Sequence, residues 1–157
     1  MAHYLVKQLY TEMPSANLED VKVNGWVRTM RESKAFAFVE LNDGTFFRNL
    51  QIILEEDKLN NYRELVRRIS VGAAIEVTGT LVLTPDAKQP FEVQAAEIAV
   101  EGPSTPDFPI QPKRHSMEYL RTVSHLRPRT NTFQAVFRVR SVIASAIHKF
   151  FQERDFV

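Results

Sequence analysis

Residues 35–54 read AFAFVELNDGTFFRNLQIIL, and the way their side chains alternate decides the fold and the face on which to look for a function. In a strand successive side chains point to opposite faces, so Ala35, Ala37, Val39 and Leu41 share one face and Phe36, Phe38 and Glu40 the other. Two arrangements satisfy this alternation. The rings form core and the alanines face solvent, or the aliphatic side chains point inward and the rings stand outside beside a carboxylate. The second is a platform for unpaired nucleobases, which stack on aromatic rings at about 1–3 kcal/mol per base. In LQIIL, Gln51 faces away from Leu50, Ile52 and Leu54, which sets an amide beside the aromatic strip. An amide offers a donor and an acceptor together to a base edge.

The flanking segments extend the pattern. VKVNGWVRTMR, residues 21–31, is a long strand whose interior Gly25 predicts a bulge or sharp bend, and Arg28 and Arg31 on it can reach the same surface. Asn42-Asp43-Gly44 predicts the turn that ends the next strand. DKLNNYRELVRRI, residues 57–69, reads as a helix with Leu59, Tyr62, Leu65, Val66 and Ile69 on one side. AAIEVTGTLVL (73–83) and FEVQAAEIAV (91–100) supply two further strands. Three strands, a helix and two strands is the order of the five-stranded OB barrel, which presents its ligand around strands two and three. The fold class expected is therefore mainly β: an OB barrel with an inserted helix over residues 1–102.

Beyond the barrel the composition changes. Pro103, Pro106, Pro109, Pro112 and Pro128 mark residues 103–130 as an extended connector. Residues 131–157 read as one long C-terminal helix, N-capped by Thr130 or Asn131. Phe133, Val136, Phe137, Arg140, Ile143, Ile147, Phe150 and Phe151 follow the spacing of one face, and Ala135, Val139, Val142 and Ala146 that of another. A helix with two apolar faces needs two partners, so the chain reads as the front portion of a larger protein.

The overall composition, 44% apolar and 25% charged, is that of a soluble globular protein, with no apolar run approaching the roughly 18 residues of a membrane helix. Met1-Ala2-His3-Tyr4 does not begin a secretory signal, and the absence of Cys excludes disulfides and thiolate metal sites and agrees with a cytoplasmic location. The formal charge of +1 hides an asymmetry: residues 1–102 carry 11 Lys/Arg against 15 Asp/Glu, net −4, while residues 103–157 carry 9 against 4, net +5. An acidic barrel cannot hold nucleic acid by bulk electrostatics and must use a local surface. His3, His115, His125 and His148 lack metal-ligand spacing, Gly72 and Gly79 form no phosphate loop, and nothing pairs a nucleophile with a base. A binding function, with no catalytic residue and no cofactor of its own, is the expectation.

GWVRTMRESKAFAFVELNDGTFFRNLQIIL (25–54) followed by IEVTGTLVLTP (75–85) resembles the anticodon-binding domain of class II aminoacyl-tRNA synthetases of the Asp/Asn/Lys subgroup. RHSMEYLRTVSHLRPRTNTFQAVFRVRSVIASAIHKFFQERDFV (114–157) resembles the hinge and motif 1 helix of the same enzymes, and HLRPRTNTF is worded as in the bacterial asparaginyl branch. The resemblance implies that Phe38 stacks on the middle anticodon base, that Gln51 and the Arg31 of GWVxxxR read or hold neighbouring groups, and that Glu92 contributes from the neighbouring loop surface; Phe36 and Arg28 join them as candidates from the strand pattern alone. It also implies tRNA(Asn) as partner and a homodimer formed through Phe133, Val136, Phe137, Arg140, Ile143 and Ile147. An intact protein of this family is a ligase that uses ATP and Mg²⁺. Motifs 2 and 3, which carry that chemistry, do not occur in these residues, so the chain is expected to bind and not to catalyse. Alternatives are an aspartyl-type fragment and a free-standing OB protein for single-stranded nucleic acid.

Overall fold

The computed structural model describes residues 2–157. The alternating stretches form β2 (Leu18–Glu32), β3 (Phe36–Asn42), β4 (Leu50–Glu55), β5 (Ala74–Leu83) and β6 (Phe91–Gly102), with helix α2 (Tyr62–Arg68) between β4 and β5. Their pairing order, β2-β3-β4-β6-β5 and back to β2, closes a five-stranded barrel, so the OB topology expected from the strand order is the one formed. Closure depends on β2, which pairs β5 through Leu18–Trp26 and β3 through Trp26–Glu32. One strand serving two neighbours must bend. Its register shifts twice, between Leu18 and Val21 against β5 and between Val27 and Thr29, at Arg28, against β3; neither shift is at Gly25. Gly25 serves a different need: a Cβ there would sit 2.7 Å from Leu41 Cδ2 and 2.9 Å from the Asn42 carbonyl oxygen, where β3 crosses. The only parallel pairing of the barrel strands, β4 with β6, is also short: Ile52 faces Val93 and Ile53 faces Gln94.

Inward side chains fill the barrel. Val21, Val23, Val27, Ala37, Val39, Leu41, Leu50, Ile52, Leu54, Ile75, Val77, Leu81, Phe91 and Val93 are buried. Helix α2 closes one end with Tyr62 and Val66, while Leu59 and Ile69 at its flanks are also buried; Leu65, expected on the same side, is only half-buried. The helix is shorter than the 57–69 predicted because Asn61 adopts a left-handed conformation (φ 59°) immediately before it.

Two elements precede the barrel that the sequence pattern did not announce. Strand β1 (Ala2–His3) pairs in parallel with Val21 and Lys22 of β2, and helix α1 (Val6–Glu12) packs Val6 and Leu9 into the barrel core. Leu5 at the N-cap has no side-chain oxygen to satisfy the first amides. Instead the Val6 N–H donates to Asp43 Oδ2 (2.8 Å) and the Lys7 N–H to Thr45 Oγ1 (3.1 Å), while the Leu5 N–H donates to Gln8 Oε1 (2.9 Å). The β3–β4 connection is accordingly a loop over residues 43–49 rather than a tight turn at Asn42-Asp43-Gly44; Gly44 takes φ 80° within it, and Asn42, buried, accepts the Gly44 N–H and donates to Asn49 Oδ1.

The chain divides into two compact units, Met1–Lys113 and Arg114–Val157, where the sequence pattern placed boundaries at 102 and 130. The first proline-rich stretch does not hang free. Ile110 is buried, Ser70 Oγ donates to the Ser104 carbonyl, and the Phe108 ring lies over Gly72, whose φ of 90° and lack of Cβ both suit the close approach. In the second unit α3 (Met117–Thr122), capped by Ser116, and a 3₁₀ turn (Arg127–Arg129) replace the rest of the expected extended connector. Thr130 caps α4 (Asn131–Gln152) by accepting the Phe133 N–H. None of α4 is buried. Arg127 lies over the Phe133 ring at 4.6 Å and the Phe137 ring at 5.9 Å, so these two half-buried rings turn toward the 3₁₀ turn. Val136, Val139, Ile143 and Ile147 line an open apolar groove with Arg140, so the two rows read from the sequence merge into one face at Val139.

Candidate nucleic-acid interface

The choice left open by the alternation in residues 35–41 is resolved by packing. Ala37, Val39 and Leu41 are fully buried, Phe36 is 44% exposed and Phe38 half-buried, so the rings stand on the outer face of the barrel. Ala35, at the strand's start, is exposed although its parity matches the inward set, because pairing begins only at Phe36.

Cross-strand register arranges the outer side chains in rows. Arg31 of β2 lies opposite Phe38 of β3, Phe38 opposite Ile53 of β4, and Ile53 opposite Gln94 of β6. In the adjoining row Thr29 lies opposite Glu40 and Glu40 opposite Gln51. Directly opposite residues share a face, so Arg31, Phe38 and Gln51 are brought together as expected. Glu92 joins them: Gln51 Nε2 donates to Glu92 Oε2 at 3.0 Å, and Gln89 Nε2 approaches the same oxygen at 3.5 Å. Phe36 lies at the end of the strip opposite Glu55. Arg28, half-buried, falls at the bulge, where the alternation slips, and is no longer in either row.

The pattern of hydrogen bonds was not readable from the sequence. Glu40 accepts from Asn49 Nδ2 (2.9 Å), which places a carboxylate and an amide next to Gln51. Lys58 bridges Glu55 (2.9 Å) and Gln94 Oε1 (3.3 Å) at the far side of the strip. The only signal for Asn49 was its position one residue before a strand. The chemistry of the ensemble is consistent: a flat aromatic surface, a guanidinium, and an amide whose one N–H is held by a carboxylate, leaving its second N–H and its carbonyl oxygen for a base edge. Carboxylates at Glu40 and Glu92 accept from N–H groups such as base imides and exocyclic amines. Among the described residues no group of three His, Cys, Asp or Glu side chains is placed to hold a metal ion, and no helix is long and apolar enough to cross a membrane.

A closed barrel bearing an aromatic and amide strip on its β3–β4 face is the architecture of a nucleic-acid-binding OB domain. Residues 21–101 match the family of OB-fold nucleic acid binding domains, and the chain belongs to that family. Relatives along its length include asparagine–tRNA ligases: the one from Acetivibrio thermocellus is 63% identical over 153 residues, 98% of this chain and 33% of the relative. The chain thus spans about a third of the length of the curated relatives it matches. Asparaginyl-tRNA synthetase from Pyrococcus horikoshii superposes with a TM-score of 0.79 at 19% identity, over 96% of this chain and 35% of that one. Aspartyl tRNA synthetase from Entamoeba histolytica gives 0.80 at 18% identity, over 100% of this chain and 38% of that one. At such identities the structural likeness speaks for the fold alone.

Proposed function

We propose that this chain is the anticodon-reading part of an asparagine–tRNA ligase, whose intact form attaches asparagine to tRNA(Asn) using ATP and Mg²⁺. The observation that carries the reading is the burial of Ala37, Val39 and Leu41, which turns Phe36 and Phe38 outward beside Gln51. The sequence likeness to ligases runs through α4 as well as the barrel, which a free-standing single-strand-binding protein does not require, and it favours the asparagine over the aspartate enzyme.

In this reading Phe38 stacks on the middle anticodon base. Gln51, oriented by Glu92, hydrogen-bonds a base edge, and Arg31 lies against base or phosphate at the end of the same row. Phe36 and Arg28 flank the strip. ATP and Mg²⁺ act in the remainder of the ligase; nothing in these residues is assigned to them. The α4 face of Val136, Ile143 and Ile147 pairs with a second copy, with Phe133, Phe137 and Arg140 at its margin.

One variant tests the site. Phe38→Ala is expected to weaken binding of a stem-loop carrying an asparagine anticodon by about 1–3 kcal/mol, with a melting temperature close to that of the parent because the ring is outward. Removal of a core ring would instead cost roughly 3–5 kcal/mol of stability. Strong destabilisation with unchanged affinity per folded molecule would return Phe38 to the core and remove the stacking role.

A further inference from the structure

A single strand lying on the aromatic strip brings its phosphates to an acidic surface. The barrel region carries a net charge of −4, and Glu40, Glu55 and Glu92 edge the strip itself. Lys58 is engaged by Glu55 at 2.9 Å. Arg31 supplies a cation at one end of the strip, and phosphates further along the strand need others. They occur one residue beyond the end of the strip. Asn49, which binds Glu40, follows Arg48, and Gln89, which approaches Glu92, follows Lys88.

Arg48 and Lys88 face a common groove of about 470 Å³ between α1, the loop 43–49 and the loop 84–90. Its remaining walls include Tyr10, Met13, Phe46 and Pro90, and no lining residue is acidic. The size is that of a small-ligand site, and the lining is aromatic with a cationic rim. Tyr10 and Phe46 stack at 5.1 Å with an interplanar angle of 20°, and the Arg48 guanidinium lies 5.8 Å from the Tyr10 centroid. The Tyr10 hydroxyl donates to the Asn49 carbonyl (2.9 Å) and its ring touches the buried Phe91, so this wall is fixed to the barrel. Neither Arg48 nor Lys88 forms a salt bridge among the described residues.

We propose that this groove is a second nucleotide subsite, in which a nucleotide flanking the three read on the strip lays its base against Phe46 and its phosphate on Arg48 and Lys88. The subsite rests on the reading of the strip as an anticodon surface, and it is tied to that surface by Asn49, which bonds Glu40, and Gln89, which bonds Glu92. It also gives α1 a part in binding, since Tyr10 of the helix and Met13 just beyond its end form the wall that the barrel alone lacks.

Two measurements on the intact chain test it. The double variant Arg48→Ala/Lys88→Ala, both positions being exposed, is expected to fold as the parent does and to bind an asparagine anticodon stem-loop on the order of tenfold more weakly at low salt. Its plot of log affinity against log salt should be shallower by about 0.7 for each phosphate that is no longer neutralised. In the second, the nucleotides immediately before and after the triplet are made abasic one at a time. One of the two is expected to weaken binding to the parent and to have no further effect on Phe46→Leu. An unchanged salt slope, or an abasic penalty equal in parent and Phe46→Leu, overturns the subsite. Phe38→Ala measured alongside separates the two readings: if it weakens binding while the double variant does not, the groove fails and the strip stands. If the stem-loop does not bind the parent at all, both fail.

Discussion

Phe38 and Gln51 sit on strands whose parity separates two sets of side chains, one for the core and one for the surface. Parity left two directions open for the Phe38 ring, and packing chose between them: Ala37, Val39 and Leu41 are fully buried in the barrel and the ring stands outward. What parity cannot supply is the state of the polar groups. Gln51 is held by Glu92, a residue 41 positions away, and that bond fixes which part of the amide remains for a ligand. Under the proposed function, Gln51→Leu is therefore expected to leave folding intact and to flatten discrimination among stem-loops altered at one anticodon base, a loss of about 1–3 kcal/mol for the cognate base. Competition titrations with single-base variants measure it, and retained discrimination would remove Gln51 from the reading surface. Gly25 is a position where the sequence signalled a special backbone but not its cause. The register shifts of β2 lie elsewhere, and Gly25 is required by the passage of Leu41 and Asn42 against its Cα. Gly25→Ala should cost about 1–3 kcal/mol through overpacking, read as a lower urea midpoint with an unchanged slope.

Helix α1 shows why an element can be invisible at the level of local pattern. It is seven residues long, too short to be stable alone, and its N-cap is Leu5, which announces nothing. Its first amides are satisfied by Asp43 and Thr45 from a loop 37 and 38 residues further along the chain. The helix exists because Val6 and Leu9 are buried and because that loop lends it a cap. Asp43→Ala removes the Val6 acceptor and the bonds that order Thr45, and should cost about 0.5–2 kcal/mol, the range measured for lost N-caps. Native-state hydrogen exchange locates the effect: faster exchange at Val6 and Lys7 with β5 unaffected is expected, and uniform acceleration would show that the cap is not local. By contrast α4 announced itself, since Thr130, a 22-residue span and a repeating apolar face are all local signals.

At the scale of the molecule, α4 leaves Val136, Val139, Ile143 and Ile147 open to solvent, each between 48% and 57% exposed, and a contiguous apolar strip of this kind is a surface for association. For the proposed pairing through this face, sedimentation at micromolar concentration should give a dimer for the parent and a monomer for Ile143→Asp, with stem-loop affinity per chain unchanged; a monomeric parent would remove the pairing. The strand order, the inserted helix, the proline-rich region and the long terminal helix were determined by the sequence itself, because period-2 alternation, 3.6-residue periodicity and proline's missing N–H act within a few residues. The tertiary structure alone decided which strand closes the barrel, where β2 bulges, that residues 103–113 belong to the first unit, that α1 forms, and how Glu92, Glu40 and Asn49 set the polar groups of the strip. Each of these depends on atoms from segments tens of residues apart meeting at bonding distance, and no local periodicity encodes such a meeting.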